Sequence, residues 1–269
     1  MRIVVLVKHV PGDDAGPPAY AADLTVDRAG PRGALNAADG CALEQAVRIA
    51  RLRIDVRITV LTMGPSQSAR SLSAALALGA DDGVQVCDDA LHGSDALATS
   101  LVLAAAVRRI GFDLLLCGAA SSDSGMAVIP LMLAERLGVP AVCGADALRA
   151  QENSITAFCP GASVDELDEL ACELPALAAI TDRGISPRAP SFPAIAEARS
   201  KLLRRWSLAD LGIEPAQVGL PGAVCHVRDV QDRRPRGRVI DGAEDLEGAA
   251  RELADFLEAE HCLVEHRLG

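Results

Sequence analysis

The sequence lacks any apolar run long enough to cross a membrane. The longest candidate, Leu101–Val107, stops at Arg108 and Arg109, whereas a membrane helix needs roughly 18 apolar residues. The opening run Ile3–Val7 is too short for the apolar region of a secretory signal and precedes no small-residue cleavage site. We therefore expect a cytoplasmic protein without a membrane span.

Basic residues are also in the minority. The chain has 26 Lys and Arg against 37 Asp and Glu, which gives a net charge of −11. Binding to nucleic acid requires a basic face that neutralises phosphates. This charge balance argues against a nucleic-acid partner.

Patterns typical of metal and catalytic sites are missing as well. None of the eight cysteines lies in Cys-x-x-Cys spacing, and no His-x-x-x-His pair or Ser-His-Asp order occurs. Cys117 and Cys143 follow apolar residues and are predicted to be small buried side chains in a reducing compartment. We expect neither a metal site nor catalytic residues.

Apolar residues, in contrast, make up 50% of the 269 residues, enough for a large core. Short apolar runs at Ile3–Val7, Ile58–Leu61, Val84–Cys87 and Leu114–Cys117 alternate with segments of helical periodicity. This alternation predicts a doubly wound α/β fold with a mostly parallel sheet. Asp39 is predicted to cap the first helix.

The second half of the chain changes character. Ile155–Cys159 is predicted to pair with Glu173–Ile180 across an acidic bend, Asp165–Glu169. An extended arm is expected from Trp206 onward, closed by an amphipathic helix from about Glu244 to Glu260. The predicted organisation is a core of residues 1–183 with this β hairpin, a loop and helix of residues 184–205, and an arm of residues 206–269.

Open parallel sheets bind ligands at the carboxyl ends of their strands. Four predicted loops lie there: Lys8–Gly12, Asn36–Asp39, Thr62–Ser66 and Gly118–Ser124. The last combines small residues, hydroxyls and a helix start, which suits a phosphate. It lacks both the Gly-x-Gly-x-x-Gly and the Walker spacing, so an ordinary glycine- and serine-rich loop is the alternative.

Three prolines restrict the segment that follows the core. Pro187, Pro190 and Pro193 fix φ and remove backbone donors, so no helix is expected until after Pro193. Phe192 is then held on stiff backbone, where an aromatic side chain makes an anchor for a partner at little entropic cost. Composition alone favours the alternative, in which Phe192 packs on its own domain, because the chain has only four Phe.

The motif Pro-Arg-x-x-x-Phe-Pro-x-Ile-x-x-Ala-x-x-Lys, from Pro187 to Lys201, resembles the signature of the electron transfer flavoprotein β-subunit family. The opening strand with its Val-Lys-x-Val turn is similar to that of the family. Asn36 and the helix after it are similar to the family's first turn and first helix. Four further segments fit in order: Met63–Pro65, Ala75–Asp81, Asp113–Gly118 and Glu173–Ala176. The resemblance covers nearly the whole chain and is weakest at residues 12–33 and after about residue 205.

The resemblance implies an adenine nucleotide on the loops named above. Ordinary electron carriers of the family hold AMP there, and electron-bifurcating members hold a second FAD. The positions that match are Leu6, Asn36, Asp39, Thr62, Gly64, Gly118, Ser121, Ser122, Asp123 and Ser124. The chain departs from the family at Ala127–Pro130, where the family has a polar Asn/Gln-Thr-Gly stretch at the phosphate. Only backbone amides before Pro130 and nearby serines remain as donors, which puts AMP in doubt.

The resemblance also implies partners. An α subunit would hold most of the FAD, the tail of this chain would wrap across that subunit, and a flavin dehydrogenase would donate electrons that pass on to an acceptor. The recognition segment would be Pro187, Arg188, Phe192, Pro193 and Ile195. Such a chain is an electron-carrier subunit rather than a stand-alone catalyst.

Two alternatives stay open at this point. The first is a stand-alone adenine-nucleotide-binding module of the same superfamily, which would not need residues 184–269. The second is a bifurcating β subunit with a second FAD.

Overall fold

The computed structural model describes residues 1–12, 20–26, 33–161, 163, 166–231, 240–243 and 245–259. Contacts divide the chain into two units, Met1–Arg228 and Asp229–Gly269. Three residues named above, Asp165, Glu244 and Glu260, lie outside the described residues.

A seven-stranded sheet forms the centre of the first unit, and every neighbouring pair in it is parallel. Its order is β12-β5-β4-β1-β6-β11-β7. The strands are β1 (Arg2–Leu6), β4 (Arg57–Met63), β5 (Asp82–Val86), β6 (Leu114–Gly118), β7 (Ala141–Ala145), β11 (Ala176–Ile180) and β12 (Leu203–Trp206). The four strands predicted from the apolar runs are confirmed.

Helices cover both faces of this sheet. They are α1 (Ala37–Leu52), α2 (Ala69–Leu78), α3 (Ala96–Ile110) and α4 (Ile129–Leu137). Buried side chains of α1 and α2 share one core with Ile3 and Val5, whereas those of α3 and α4 share a second core with Val4 and Leu6. Alternate residues of β1 therefore point into opposite cores, as a strand requires, and the predicted doubly wound α/β fold is confirmed.

Two small antiparallel sheets accompany the central one. The first pairs β2 (His9–Pro11) with β3 (Gly33–Leu35), and the second joins β8 (Ala147–Ala150), β9 (Ser154–Pro160) and β10 (Leu167–Glu173).

The predicted partner of Ile155–Cys159 is wrong. This segment pairs with Leu167–Glu173, and Ala176–Ile180 lies instead between β6 and β7 in the central sheet. The reason is burial: all five residues of Ala176–Ile180 are buried, which suits a strand covered on both faces. Asp168 and Glu169, predicted to lie in a solvated bend, are exposed residues of β10.

Short helical pieces follow the core. They are α5 (Phe192–Ala198), α6 (Leu208–Leu211) and α7 (Gly219–Gly222). Leu208, Ile213 and Val218 are buried in the second core, so the compact first unit extends well beyond residue 206.

The second unit contains α8 (Leu246–Ala259), an amphipathic helix with no buried residue. It lies within the predicted bounds of the terminal helix. None of the helices in the described residues combines the length and the apolar character that a membrane crossing needs.

Among the cysteines, the prediction for Cys117 is confirmed, since it is buried on β6. The prediction for Cys143 is wrong because this residue, although on a strand, is exposed.

Candidate functional site

The predicted ligand loops lie at one edge of the sheet. The chain runs from β1 outward to β4 and β5 and then returns to β6 on the other side of β1. The carboxyl ends of β1 and β6 therefore flank the point where the strand order reverses, the usual crevice for a ligand in such sheets.

Asp39 joins these two strands. Its carboxylate accepts hydrogen bonds from the backbone N–H of Lys8, after β1, and of Gly118, at the end of β6, at 2.8 and 2.9 Å. The predicted capping role of Asp39 is wrong: α1 starts at Ala37 after Asn36, and Asp39 lies in its first turn. Buried there, the carboxylate satisfies strand-end amides of β1 and β6 rather than the helix's own N–H groups.

Gly118 is required by this junction. A Cβ at residue 118 would lie 2.4 Å from Oδ1 of Asp39 and 2.8 Å from Cβ of Ala38. Only glycine lets α1 approach the end of β6 so closely.

Asn36 holds the loop after β6. Its Nδ2 donates to the carbonyl of Ala120 at 3.0 Å, and its Oδ1 accepts from the N–H of Ser122 at 3.2 Å. Asn36 is buried, so both polar ends of its amide are used within the protein.

Lys8 begins one of the four predicted ligand loops, although it was not among the individual residues predicted to bind a ligand. Its ammonium contacts Oδ1 of Asp123 at 2.6 Å and Oγ of Ser121 at 3.0 Å. The Asp123 side chain is 1% exposed, against 36% for Lys8. The hydroxyls of Ser121 and Ser124 lie 2.8 Å apart.

Three predicted residues lie at the neighbouring strand ends without a hydrogen bond to this cluster. Leu6 is buried in the second core, and the N–H of Gly64 donates to the carbonyl of Val86. The hydroxyl of Thr62 is buried and has no hydrogen-bond partner among the described residues. The structure thus brings together Asn36, Asp39, Gly118, Ser121, Ser122, Asp123 and Ser124, and leaves Leu6, Thr62 and Gly64 beside them.

The charges at this edge decide which ligand groups fit. Burial raises the pKa of Asp39 to about 6, and the amides of Lys8 and Gly118 offset only part of that effect. At neutral pH the cluster therefore holds one ammonium, that of Lys8, against the carboxylates of Asp39 and Asp123. This net negative charge disfavours a phosphate dianion beside these side chains. The neutral part of a nucleotide meets no such obstacle.

The raised pKa of Asp39 predicts a dependence of stability on pH. The folded chain holds this proton up to about pH 6, whereas the unfolded chain releases it near the ordinary value of 3.8. The contribution of Asp39 to stability is therefore complete below about pH 4 and is lost as the pH rises to about 6, on the order of 3 kcal/mol in total. Urea unfolding of the wild-type chain and of Asp39→Asn across this range measures it, because the difference between the two curves isolates the group. If the free energies of unfolding of the two proteins change with pH in parallel, burial does not raise the pKa of Asp39.

The second predicted site is the segment before and within α5. Phe192 begins the helix and its side chain is 90% exposed, while Ile195, one turn later, is 39% exposed. The expectation that no helix forms until after Pro193 is wrong by two residues, because a proline in the first turn lacks only an N–H that would have no helical partner. Ser191 caps the helix by accepting from the N–H of Ala194.

An ion pair and packing before Phe192, and hydrogen bonds to backbone carbonyls after it, fix this segment. Nε of Arg188 donates to Oε1 of Glu44 at 2.8 Å, and the Glu44 side chain is 3% exposed. Pro187 lies against Gly40 of α1, where a Cβ would be 3.2 Å from its Cγ. Nζ of Lys201 donates to the carbonyls of Leu76 and Ala80 at the end of α2. An exposed aromatic ring is thus presented by an anchored segment.

Comparison with known proteins places these features in context. The family profile described as "Electron transfer flavoprotein domain" matches residues 23–211. "Electron transfer flavoprotein subunit beta" of Mycobacterium leprae is 34% identical over 82% of this chain and 85% of that protein. The protein of the same name from Megasphaera elsdenii is 31% identical over 93% and 94%. "Acryloyl-CoA reductase electron transfer subunit gamma" of Anaerotignum propionicum is 31% identical over 84% and 86%.

Proposed function

Because this chain belongs to the electron transfer flavoprotein β-subunit family, we propose that it pairs with an α subunit and that the two share one FAD. Electrons pass from a flavin dehydrogenase through this FAD to a downstream acceptor. Membership of the family implies association with a flavin and with an α partner. The sharing of FAD, the donor and a cytoplasmic location are parts of the proposal.

The observation that carries the proposal is the anchored segment around Phe192. Aromatic side chains are enriched at the centre of protein interfaces, and Phe192 and Ile195 are exposed one turn apart on the same short helix. Here the backbone on both sides is fixed by Arg188 and Lys201, so little conformational entropy is left to lose when a partner covers the ring. Such a surface supports docking of the electron donor.

The FAD supplies the redox chemistry, because a flavin accepts and releases electrons singly or in pairs. This chain contributes binding surface for the cofactor and for the donor. Its α/β unit would cover part of the cofactor that the α subunit holds, and the Phe192 segment would recruit the donor. This division of labour needs no catalytic side chain in the β subunit.

At the candidate nucleotide site, the charge of the side chains disfavours the two ligands that the resemblance implies, AMP and a second FAD. Lys8 is paired with Asp123, and Asp39 adds a second carboxylate, so the phosphate of AMP or the pyrophosphate of FAD meets net negative charge. An unpaired phosphate charge costs a few kcal/mol. This argument also disfavours the bifurcating alternative.

The stand-alone alternative accounts for less of the structure. A nucleotide-binding module needs only the α/β core, and it leaves the exposed ring of Phe192 and the apolar stripe of α8 without a purpose. Both features suit a subunit that binds other proteins.

Identification of the bound small molecules tests the proposal. The chain is co-expressed with an electron transfer flavoprotein α subunit of the same organism, and the purified product is analysed by absorbance and by mass spectrometry of the released ligands. We expect one FAD per heterodimer and no AMP. Two FAD per heterodimer would establish bifurcation, and a monomer that holds ATP or no ligand would favour the stand-alone module.

A further inference from the structure

Arginines gather at the amino-terminal edge of the sheet, opposite the candidate nucleotide site. Arg2 and Arg57 are the first residues of β1 and β4, Arg204 is the second residue of β12, and Arg109 lies in the last turn of α3. All four line one cavity of about 230 Å³.

The charge of this cavity is opposite to that of the protein. Its lining holds four guanidinium groups and one carboxylate, that of Asp82, in a chain whose net charge is −11. Asp82 is 2% exposed and accepts hydrogen bonds from Arg57 and Arg204. Each guanidinium has five N–H donors, of which Asp82 satisfies only a part. Outside the lining, Nη2 of Arg2 lies 3.7 Å from Oδ1 of Asp113, and Arg109 donates to the carbonyl of Asp210.

Arg204 shows the unsatisfied donors directly. Its Nε is buried and has no hydrogen-bond partner within the described part of the chain. A buried donor of this kind costs free energy unless a ligand or an ordered water accepts its hydrogen bond.

Arg2 and Arg109 are placed by contacts other than Asp82. A Cβ at Gly111, where φ is +74°, would lie 2.5 Å from Nη1 of Arg2, so this glycine makes room for the guanidinium. The guanidinium of Arg109 lies 4.7 Å from the centre of the Trp206 ring. Asp82 accounts for the positions of Arg57 and Arg204, whereas Arg2 and Arg109 are brought to the same cavity by separate contacts of their own.

We propose that this cavity binds a compact anion that carries at least two negative charges on phosphate or carboxylate oxygens. Guanidinium groups match both kinds of oxygen with paired hydrogen bonds. The cavity has room for about seven or eight water volumes of roughly 30 Å³, and it lies below the roughly 300–1,000 Å³ of sites for larger ligands. Pyrophosphate or a small di- or tricarboxylate fits this volume and charge.

Isothermal titration of the full-length chain with pyrophosphate and with citrate, at fixed low ionic strength, tests the assignment. We expect saturable binding of at least one probe with a Kd below about 1 mM. Tighter binding of pyrophosphate identifies a phosphate ligand, and tighter binding of citrate identifies a carboxylate ligand. The absence of saturable binding of both probes up to about 10 mM would overturn the proposal.

Substitution of Arg2 locates the site. Arg2→Gln should weaken binding about tenfold, since a charge-assisted hydrogen bond contributes roughly that factor. Arg183→Gln is the matched control: Arg183 is 62% exposed and lies 3.7 Å from Asp146, as Arg2 is 59% exposed and lies 3.7 Å from Asp113. Equal weakening by both variants would show non-specific attraction and overturn the proposal.

A second variant guards against local disruption. Arg109→Gln removes a guanidinium that lines the cavity without pairing with Asp82, so no buried carboxylate is left alone. It should unfold cooperatively and also bind the probe about tenfold more weakly. Unchanged affinity in this variant and in Arg2→Gln would contradict the site.

Discussion

Deletion of residues 229–269 should lower the affinity of the chain for its α subunit roughly a hundredfold and leave the first unit folded. Helix α8 in this segment exposes Leu246, Leu253 and Phe256 and has no buried residue. A 14-residue helix is marginal in water by itself, so burial of its apolar stripe on a partner would stabilise it. Burying two such side chains contributes about 3 kcal/mol or more, which corresponds to a hundredfold change in affinity. Analytical ultracentrifugation of the two subunits measures the change.

Point variants separate the apolar stripe from the length of the tail. Leu253→Asp combined with Phe256→Asp should reproduce most of the loss. Glu247→Gln combined with Arg251→Gln, an exposed ion pair of the same helix, should leave the affinity unchanged. If the truncated chain binds the α subunit as tightly as the full chain, the tail is not part of the interface.

Phe192→Ala should slow reduction of the heterodimer by its dehydrogenase about thirtyfold or more. The ring is 90% exposed in this chain and sits on an anchored segment. Aromatic residues of this kind contribute about 2 kcal/mol or more to binding when a partner pocket covers them, and 1.4 kcal/mol is tenfold. Flavin content and the unfolding midpoint should not change, because the side chain makes little contact with its own domain. Stopped-flow flavin absorbance at subsaturating donor measures the rate.

Two further variants serve as controls for Phe192→Ala. Phe192→Leu should retain much of the rate, since leucine keeps most of the apolar surface that a partner pocket would bury. Leu52→Ala removes another apolar side chain, 87% exposed on α1, and should have no effect. Equal rates for Phe192→Ala and the wild type would remove the recognition role of this segment.

Local pattern was sufficient for much of the fold. Buried runs such as Ile3–Val7 and Leu114–Cys117 predicted central strands because periodicity and burial depend on neighbouring residues. The pairing of β9 was missed because two acceptable strands, Leu167–Glu173 and Ala176–Ile180, follow one another after it. The strand between β6 and β7 has to be buried on both faces, and only one of the two segments meets this condition. That tertiary requirement, which local pattern does not show, decides which segment pairs with β9.

The position of the candidate site could be predicted from the sequence, but the contacts of its charged side chains could not. Strand-end loops could be named from the sequence, since parallel strands end at a common edge. The roles of Asp39 and Lys8 could not, because their partners Gly118 and Asp123 are 79 and 115 residues away along the chain. The arginine cavity could not be predicted from the sequence. Arg2 and Arg204 line it together only because β12 adds to the sheet edge next to β5.

The most direct test of the account is electron transfer itself. The purified heterodimer is mixed anaerobically with a flavin dehydrogenase of the same organism and its substrate, and the FAD absorbance near 450 nm, roughly where oxidised flavin absorbs, is followed. We expect this absorbance to fall within the time of a single turnover of the dehydrogenase. It should recover when an electron acceptor is added. A FAD that stays oxidised with each dehydrogenase of that organism would contradict the role of this chain as an electron-carrier subunit.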